Sequence, residues 1–188
     1  MRIVIDMQGA QTVSRFRGIG RYTLNFAKSL ARNRGRHEIY LALNGLFTET
    51  IDPIRSAFDG LLPQEKIRVF SASGPVSEIN FGNKSRRQVF EFLREAFLES
   101  LNPDIIHICS LFEGYLDDAV TSIGLLEMST PVSVTFHDLI PLLNYEHYLE
   151  QNKTFSAFYH SKLAYQPICV FFQFLCKKIY LFENRVDQ

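Results

Sequence analysis

The chain has 188 residues, with 20 lysines and arginines against 20 acidic residues, a formal net charge of zero and 46% hydrophobic residues. That length and composition suit one globular domain with its own core, or one domain with an appendage. Balanced charge gives no whole-molecule attraction to nucleic acid or to an acidic partner, so any electrostatic function is local.

In chain order, residues 3–7 read as a first strand. Residues 8–18 form a loop carrying Arg15 and Arg17, and Gly18 and Gly20 stand where a helix begins. Over 19–33, Ile19, Tyr22, Phe26 and Leu30 fall on one face and Arg21, Asn25, Lys28 and Arg32 on the other, as in a helix covering a sheet. Strand 38–43, helix 48–60 and strand 66–71 follow. Residues 73–83, "SGPVSEINFGN", read as a polar loop, either a mobile flap over the strand ends or a plain surface connection. Helix 84–101 is expected to bury Val89, Leu93, Ala96, Phe97 and Leu101, and to end before Pro103. Its acids Glu91, Glu95 and Glu99 read as a solvated face, with Arg87 pairing to Glu91 one turn on. A strand over 104–110, a helix starting near Asp117 and a strand over 132–137 complete the series.

The strands are rich in Ile, Val and Leu, as in a parallel sheet buried on both faces. The order βαβαβαβαβ, in units of about 30 residues, predicts an α/β fold with a doubly wound, mostly parallel, Rossmann-like sheet. Ligands of such sheets bind at the carboxyl ends of the strands, so the loops that follow the strands share one functional edge.

The first of those loops invites an anion. A helix start offers unpaired N–H groups and partial positive charge, and glycine lets a bulky group approach the backbone. The dinucleotide pattern G-x-G-x-x-G fails because position 23 is Thr, and the G-x-x-x-x-G-K-[ST] pattern is absent. What stays open is a looser phosphate or sugar-phosphate seat, or glycines serving a tight turn beside solvated arginines. His137 reads as a site residue or a hydrogen-bonded structural histidine. Asp138 reads as a substrate contact or a turn cap, and Glu113 as a site acid or a solvated loop acid.

Three cysteines, Cys109, Cys169 and Cys176, make no C-x-x-C pair. They fit a reducing cytosol rather than a disulfide framework. No run reaches the roughly 18 to 20 apolar residues of a membrane span, and the chain opens without a secretory signal pattern. A metal-dependent hydrolase built on Asp6, His107, Cys109, His137 and Asp138 lacks H-x-x-x-H or H-E-x-x-H spacing.

The segments "RIVIDMQGAQT", "SRFRGIGRYTLNFAKSLARN", "PDIIHICSLFEGYLDDAVTSIG" and "VSVTFHDLIPLLNYEHYL" together resemble the N-terminal domain of bacterial family-4 glycosyltransferases, over about residues 1–160. The resemblance implies a GT-B architecture and a retaining, nucleotide-sugar-dependent transferase. Many members are mannosyltransferases of surface polysaccharide assembly. It implies an acceptor-side Rossmann-like domain over 1–160, with the donor-binding domain missing. Gly18 and Gly20 would approach the donor diphosphate, His137 the transferred sugar, and Glu113 and Gly114 the cleft. Arg15 and Arg17 would stabilise the departing diphosphate or hold an acceptor phosphate, with Asp138 beside His137. No metal or cofactor is implied, since the nucleotide-sugar is a substrate. The implied partners are that donor and a saccharide or lipid-linked acceptor; a separately encoded donor domain belongs to the competing reading, and a peripheral contact with the inner membrane from the cytoplasmic side to the apolar tail. The family's pair of glutamates seven residues apart is mimicked by Glu91 and Glu99, but without the glycine-rich loops that precede it.

Residues 161–188 depart from that pattern. Pro167 breaks any helix, and "ICVFFQFLC" is aromatic but short. The expectation is a truncated or frame-shifted gene whose last 25 or so residues are foreign to the family, with membrane-surface docking as the alternative. The chain alone is then expected to transfer no sugar. A non-catalytic remnant, or a module pairing with a separate donor domain, is the competing reading.

Overall fold

The structure is a computed structural model that describes residues 1–126, 130–137, 139–165 and the backbone of 169–172. Six parallel strands lie in the order β3-β2-β1-β4-β5-β6: β1 Arg2–Asp6, β2 Glu38–Asn44, β3 Ile67–Phe70, β4 Ile105–Ile108, β5 Val132–Phe136 and β6 Cys169–Phe172. The five strands expected from sequence are all present, their ends shifted by a residue or two. The sixth, in the "CVFF" run, pairs with β5 from Ser133 opposite Cys169 to Phe136 opposite Phe172. Pro167 and residues 173–188 lie outside the described residues. The strand order reverses at β1 and β4, which sets the switch point of a doubly wound sheet there.

Helices α1 Gly18–Arg32 and α2 Thr48–Ala57 cover one face. Ile5, Leu41 and Leu43 point toward them, and Val4, Ala42, Ile106 and Val134 point away, so the strands are apolar on both sides. The most buried line of α1 consists of small residues, Gly20, Thr23, Ala27 and Ala31. The larger Ile19, Tyr22, Phe26 and Leu30 are half-buried on the flanks of that line. This lets the helix axis sit close to the sheet while the bulky side chains spread over it.

The other face is covered by α3 Lys84–Ser100, followed in the chain by the short α4 Ile140–Leu143 and by α5 Lys153–Leu163. Two expectations fail here. No helix forms near Asp117: among the described residues, the crossover from β4 to β5 is irregular. And α3 is rolled over. Arg87, Arg94, Glu95 and Leu98 are buried, whereas Val89 (55%), Phe92 (48%) and Leu93 (47%) are exposed; of the expected line Leu101 is buried, and Ala96 and Phe97 are half-buried with Phe97 packed on the core.

The two failures have one cause. A buried crossover without helical hydrogen bonds must find partners for its backbone elsewhere. Helix α3 supplies them. Arg87 Nη1 donates to the carbonyls of Val76, Gly114 and Ala119 at 3.0–3.2 Å. Arg94 Nη1 donates to Ser122 O at 3.1 Å, and Glu95 Oε2 accepts from the N–H groups of Leu125 and Leu126 at 2.9 Å. Glu99 accepts from Thr130 at 2.9 Å. The acids read as a solvated face are therefore anchors, and the expected Arg87–Glu91 pair is present at 3.1 Å but inside. Asp117 and Asp118, which would open a helix, instead accept from the amides of Ala119, Val76 and Ser77. That also pins residues 73–83, which are stapled to the crossover rather than forming a flap. From α5, the buried Lys162 donates to Thr121 O, and burial, with Arg87 next, pulls its pKa down to about 7.

Arg94 has a second task. Its Nε and Nη2 both donate to Asp6 Oδ2 at the carboxyl end of β1, with both side chains essentially inaccessible to water. Replacing Arg94 by Met strands the Asp6 charge, and urea unfolding is expected to show a loss of about 3–5 kcal/mol. On the outer side of the same helix, Phe92→Ser is expected to change stability by no more than about 0.5 kcal/mol.

Candidate functional site

The carboxyl ends of β1, β2 and β4 open onto a buried polar lattice. Gln8 donates from its backbone to Asp6 Oδ1 at 2.9 Å and from its side chain to Val120 O at 2.7 Å, while its Oε1 accepts from Asn44 and from the Val120 amide. Gln11 exchanges two hydrogen bonds with the backbone of Asn44 and donates to Thr50 Oγ1 at 2.9 Å. The lattice fixes the loop 8–17, which folds as two 3₁₀ turns, Gln8–Ala10 and Val13–Phe16, before α1 begins.

The residues singled out from sequence fall into distinct groups. Gly20 is buried, and a Cβ there would lie 2.3 Å from Arg15 Cα and 2.7 Å from Ser14 O. Its bareness serves the packing of loop against helix, not the approach of a ligand. Gly18 is the opposite case: it is exposed, and an added Cβ meets nothing within 4 Å. The start of α1 has no side-chain cap and no acid in its first turn. Its first amides thus retain the positive end of the helix dipole without neutralisation from within the turn. Arg15 turns toward α2, where Nη1 donates to Gln11 O at 2.6 Å and pairs with Glu49 at 3.2 Å. Arg17 is exposed at the N-cap of α1.

Glu113 is buried, not a solvated loop acid. It accepts from the hydroxyls of Thr12, Ser14 and Ser110 at 2.9–3.2 Å, which joins the loop after β4 to the loop after β1. Burial, with Asp117 next, pushes its carboxyl up, and the three hydroxyls oppose that in part. Gly114 adopts φ +96°, and a Cβ would lie 2.3 Å from Ala119 O, so a turn requires this glycine. Asp138 lies outside the described residues.

His137 follows β5 and donates Nε2–H to Cys109 O at 2.7 Å, which fixes that tautomer. Its ring meets the ring of Tyr22 edge-on at 5.1 Å. Tyr22 stands one turn beyond Gly18 and lines with it, and with Phe26, an open hollow of about 500 Å³. Gly18 shares that hollow with Tyr22, whereas His137, which is not among the residues that line it, touches the Tyr22 ring. Beneath it runs a string that sequence reasoning missed. Tyr22 shares a 3.1 Å hydrogen bond with Thr135 Oγ1, which also lies 3.1 Å from His107 Nε2, and His107 Nδ1 lies 2.8 Å from Ser133 Oγ. His107 is buried under Phe26, and burial lowers its pKa to about 4 against an opposing pull from Asp6. The imidazole is neutral at pH 7. Tyr22 was legible only as an apolar-face residue. The polar Asp6 and Asn44 ending otherwise apolar strands were the available signal for the lattice.

Among the described residues, no three His, Cys, Asp or Glu side chains gather to hold a metal, and no helix is long and apolar enough to cross a membrane. Burial drives the Cys109 thiol well above its ordinary range.

The chain is similar to proteins named serotype-specific mannosyltransferase WbdA from Escherichia coli. One is 35% identical over 165 residues, 87% of this chain and 20% of that protein. Two others are 33% and 32% identical over 139 residues, 73% of this chain and 17% of each. The chain thus spans about a fifth of the length of the curated relatives it matches. No protein-family model matches it, and no solved structure matches it.

Two outcomes test the site. Gly20→Ala is expected to cost about 3 kcal/mol in urea unfolding through overlap with the loop backbone, whereas Gly18→Ala is neutral or gains up to about 1 kcal/mol. The folded-state pKa of His107 lies below its unfolded value of 6.5, so its contribution is complete above pH 6.5 and is lost as pH falls toward 4. Urea midpoints across that window are expected to show a loss on the order of 3 kcal/mol that His107→Gln removes.

Proposed function

We propose that this chain is the acceptor-side, Rossmann-like domain of a retaining, nucleotide-sugar-dependent glycosyltransferase of GT-B architecture, acting on a saccharide or lipid-linked acceptor in surface polysaccharide synthesis. The observation that carries the proposal is the match, over 87% of the chain, to a protein named as a mannosyltransferase. Mannose is accordingly the sugar proposed. The open start of α1 at Gly18, in a hollow that Tyr22 also lines, and the contact of the Tyr22 ring with His137 support the same reading. The reaction is placed at the cytoplasmic side of the inner membrane.

In this proposal the bond between the anomeric carbon and the phosphate oxygen breaks, and its electron pair leaves with the diphosphate. The first amides of α1 and the exposed Arg17 meet that growing charge. The acceptor hydroxyl oxygen bonds to the anomeric carbon on the same face, and its proton passes to the departing phosphate. His137, with Nε2–H committed to Cys109 O, orients a hydroxyl of the transferred sugar. The remainder of the donor site comes from sequence corresponding to the four-fifths of the relatives that this chain does not match, supplied in cis or by a separate polypeptide. The 188-residue chain alone is not a working transferase in this reading.

The test is a chimera in which this chain replaces the matching residues of one of the Escherichia coli relatives. It is expected to transfer sugar from a GDP- or UDP-sugar, to lose about 100-fold in rate on His137→Ala, and to have no counterpart activity in the 188-residue chain. A folded chimera indifferent to His137→Ala, or turnover by the chain alone, overturns the respective part.

A further inference from the structure

A second hollow opens on the other side of α1. It lies between α1 and α2, holds about 290 Å³, and has Leu24, Ile54 and Ala57 in its walls and Phe16, Arg21 and Glu49 at its mouth. We propose that this cleft is a remote acceptor subsite, in which a pyranose ring of the saccharide, some units away from the reacting hydroxyl, stacks against Phe16. The proposal rests on the glycosyltransferase reading and adds to it where the acceptor lies.

Phe16 is the strongest indication. It is 77% exposed, yet it sits on a turn that is held rigidly. The Ser14 amide donates to Thr12 Oγ1 at 3.2 Å, the Arg17 amide donates to Ser14 O at 2.9 Å, and both hydroxyls of the turn are sunk into Glu113. What sets it apart from the equally exposed Phe81 and Leu143 is that this fixed base holds the ring at the rim of the cleft, next to Arg21 and Glu49. The Arg15 guanidinium lies 4.6 Å from the ring centroid. It occupies one side of the ring and orients it.

The chemistry of the mouth suits a sugar. A pyranose has an apolar C–H face and a rim of hydroxyls. The apolar walls and Phe16 take the face. Glu49, already paired with Arg15 at 3.2 Å, accepts from hydroxyls, and Arg21 donates to them. The volume is at the small end of ligand pockets, about 300–1,000 Å³, and fits one or two rings rather than a polymer. Arg21 lines both this cleft and the hollow at Gly18, so the two are separated by the first turn of α1. An oligosaccharide lying across that turn has one ring in the cleft and its attacking end toward Tyr22 and His137. Binding energy from a distant ring then positions the hydroxyl that reacts.

The experiment is an amide NMR titration of the 188-residue chain with methyl α-mannoside and with a mannose disaccharide. Shift changes are expected at Phe16, Arg21 and Ala57, with tighter binding of the disaccharide. Phe16→Ala, which removes an exposed ring, is expected to weaken binding about fivefold, and Ala57→Phe, which fills the cleft, to weaken it at least as much. Absence of sugar binding, shifts confined to Tyr22 and His137, or unchanged affinity in both variants overturns the subsite. In the chimera, Phe16→Ala is expected to raise the acceptor KM about fivefold. A chimera sensitive to His137→Ala but not to Phe16→Ala removes the subsite and leaves the transferase reading intact.

Discussion

Neutralisation of Asp6 by Arg94 is the constraint around which the functional edge is arranged. An isolated carboxylate at the end of a central strand would be prohibitively costly inside the fold. The guanidinium that resolves it comes from α3, on the opposite layer, and its third nitrogen, Nη1, donates to Ser122 O. One ion pair thereby sets the depth of α3 and the path of the β4–β5 crossover. It also leaves Asp6 Oδ1 to accept from the Gln8 amide, and Gln8 in turn orders Val120 and Asn44. The first loop is held from below before any ligand is considered.

The apolar runs made five strands and their parallel order legible in the sequence, because a strand buried on both faces has no polar alternation to confuse it. Helix α1 was legible as well, except that its innermost line is made of small residues and hydropathy weights large ones. Helix α3 was misread for an instructive reason. Hydropathy assumes that a helix buries its apolar stripe against a sheet. Here much of what it covers is bare backbone, and the side chains suited to bare backbone are Arg87, Arg94 and Glu95. Once they turn inward, Val89 and Phe92 turn out. The helix expected near Asp117 failed with it, since Asp117 and Asp118 are equally good at capping a helix and at replacing one.

The glycines show how far motif reading reaches at the candidate site. Gly18 and Gly20 look alike in sequence, but one faces open space and the other faces the backbone of Ser14 and Arg15. His137 could be named from its position after a strand. The environment that orients it could not, because Cys109, Tyr22 and Thr135 come from three separate elements. The neutral His107 beneath them keeps that string uncharged at physiological pH, so the positive potential at the start of α1 is not shared with the floor of the site.

The crossover also bears on how the molecule opens. Residues 109–122 have the appearance of a long loop, the kind of segment expected to exchange its amide protons early and to be clipped first. Their carbonyls, however, are clamped by side chains of α3 and α5, the Val120 amide donates to Gln8 Oε1 and the Ala119 amide to Asp117 Oδ1, and Ala119 through Ser122 are buried. Deuterium is expected to reach the Ala119 and Val120 amides only when the packing of the crossover on the first loop opens. In exchange rate, Ala119 and Val120 are expected to fall with the central strands rather than with a loop.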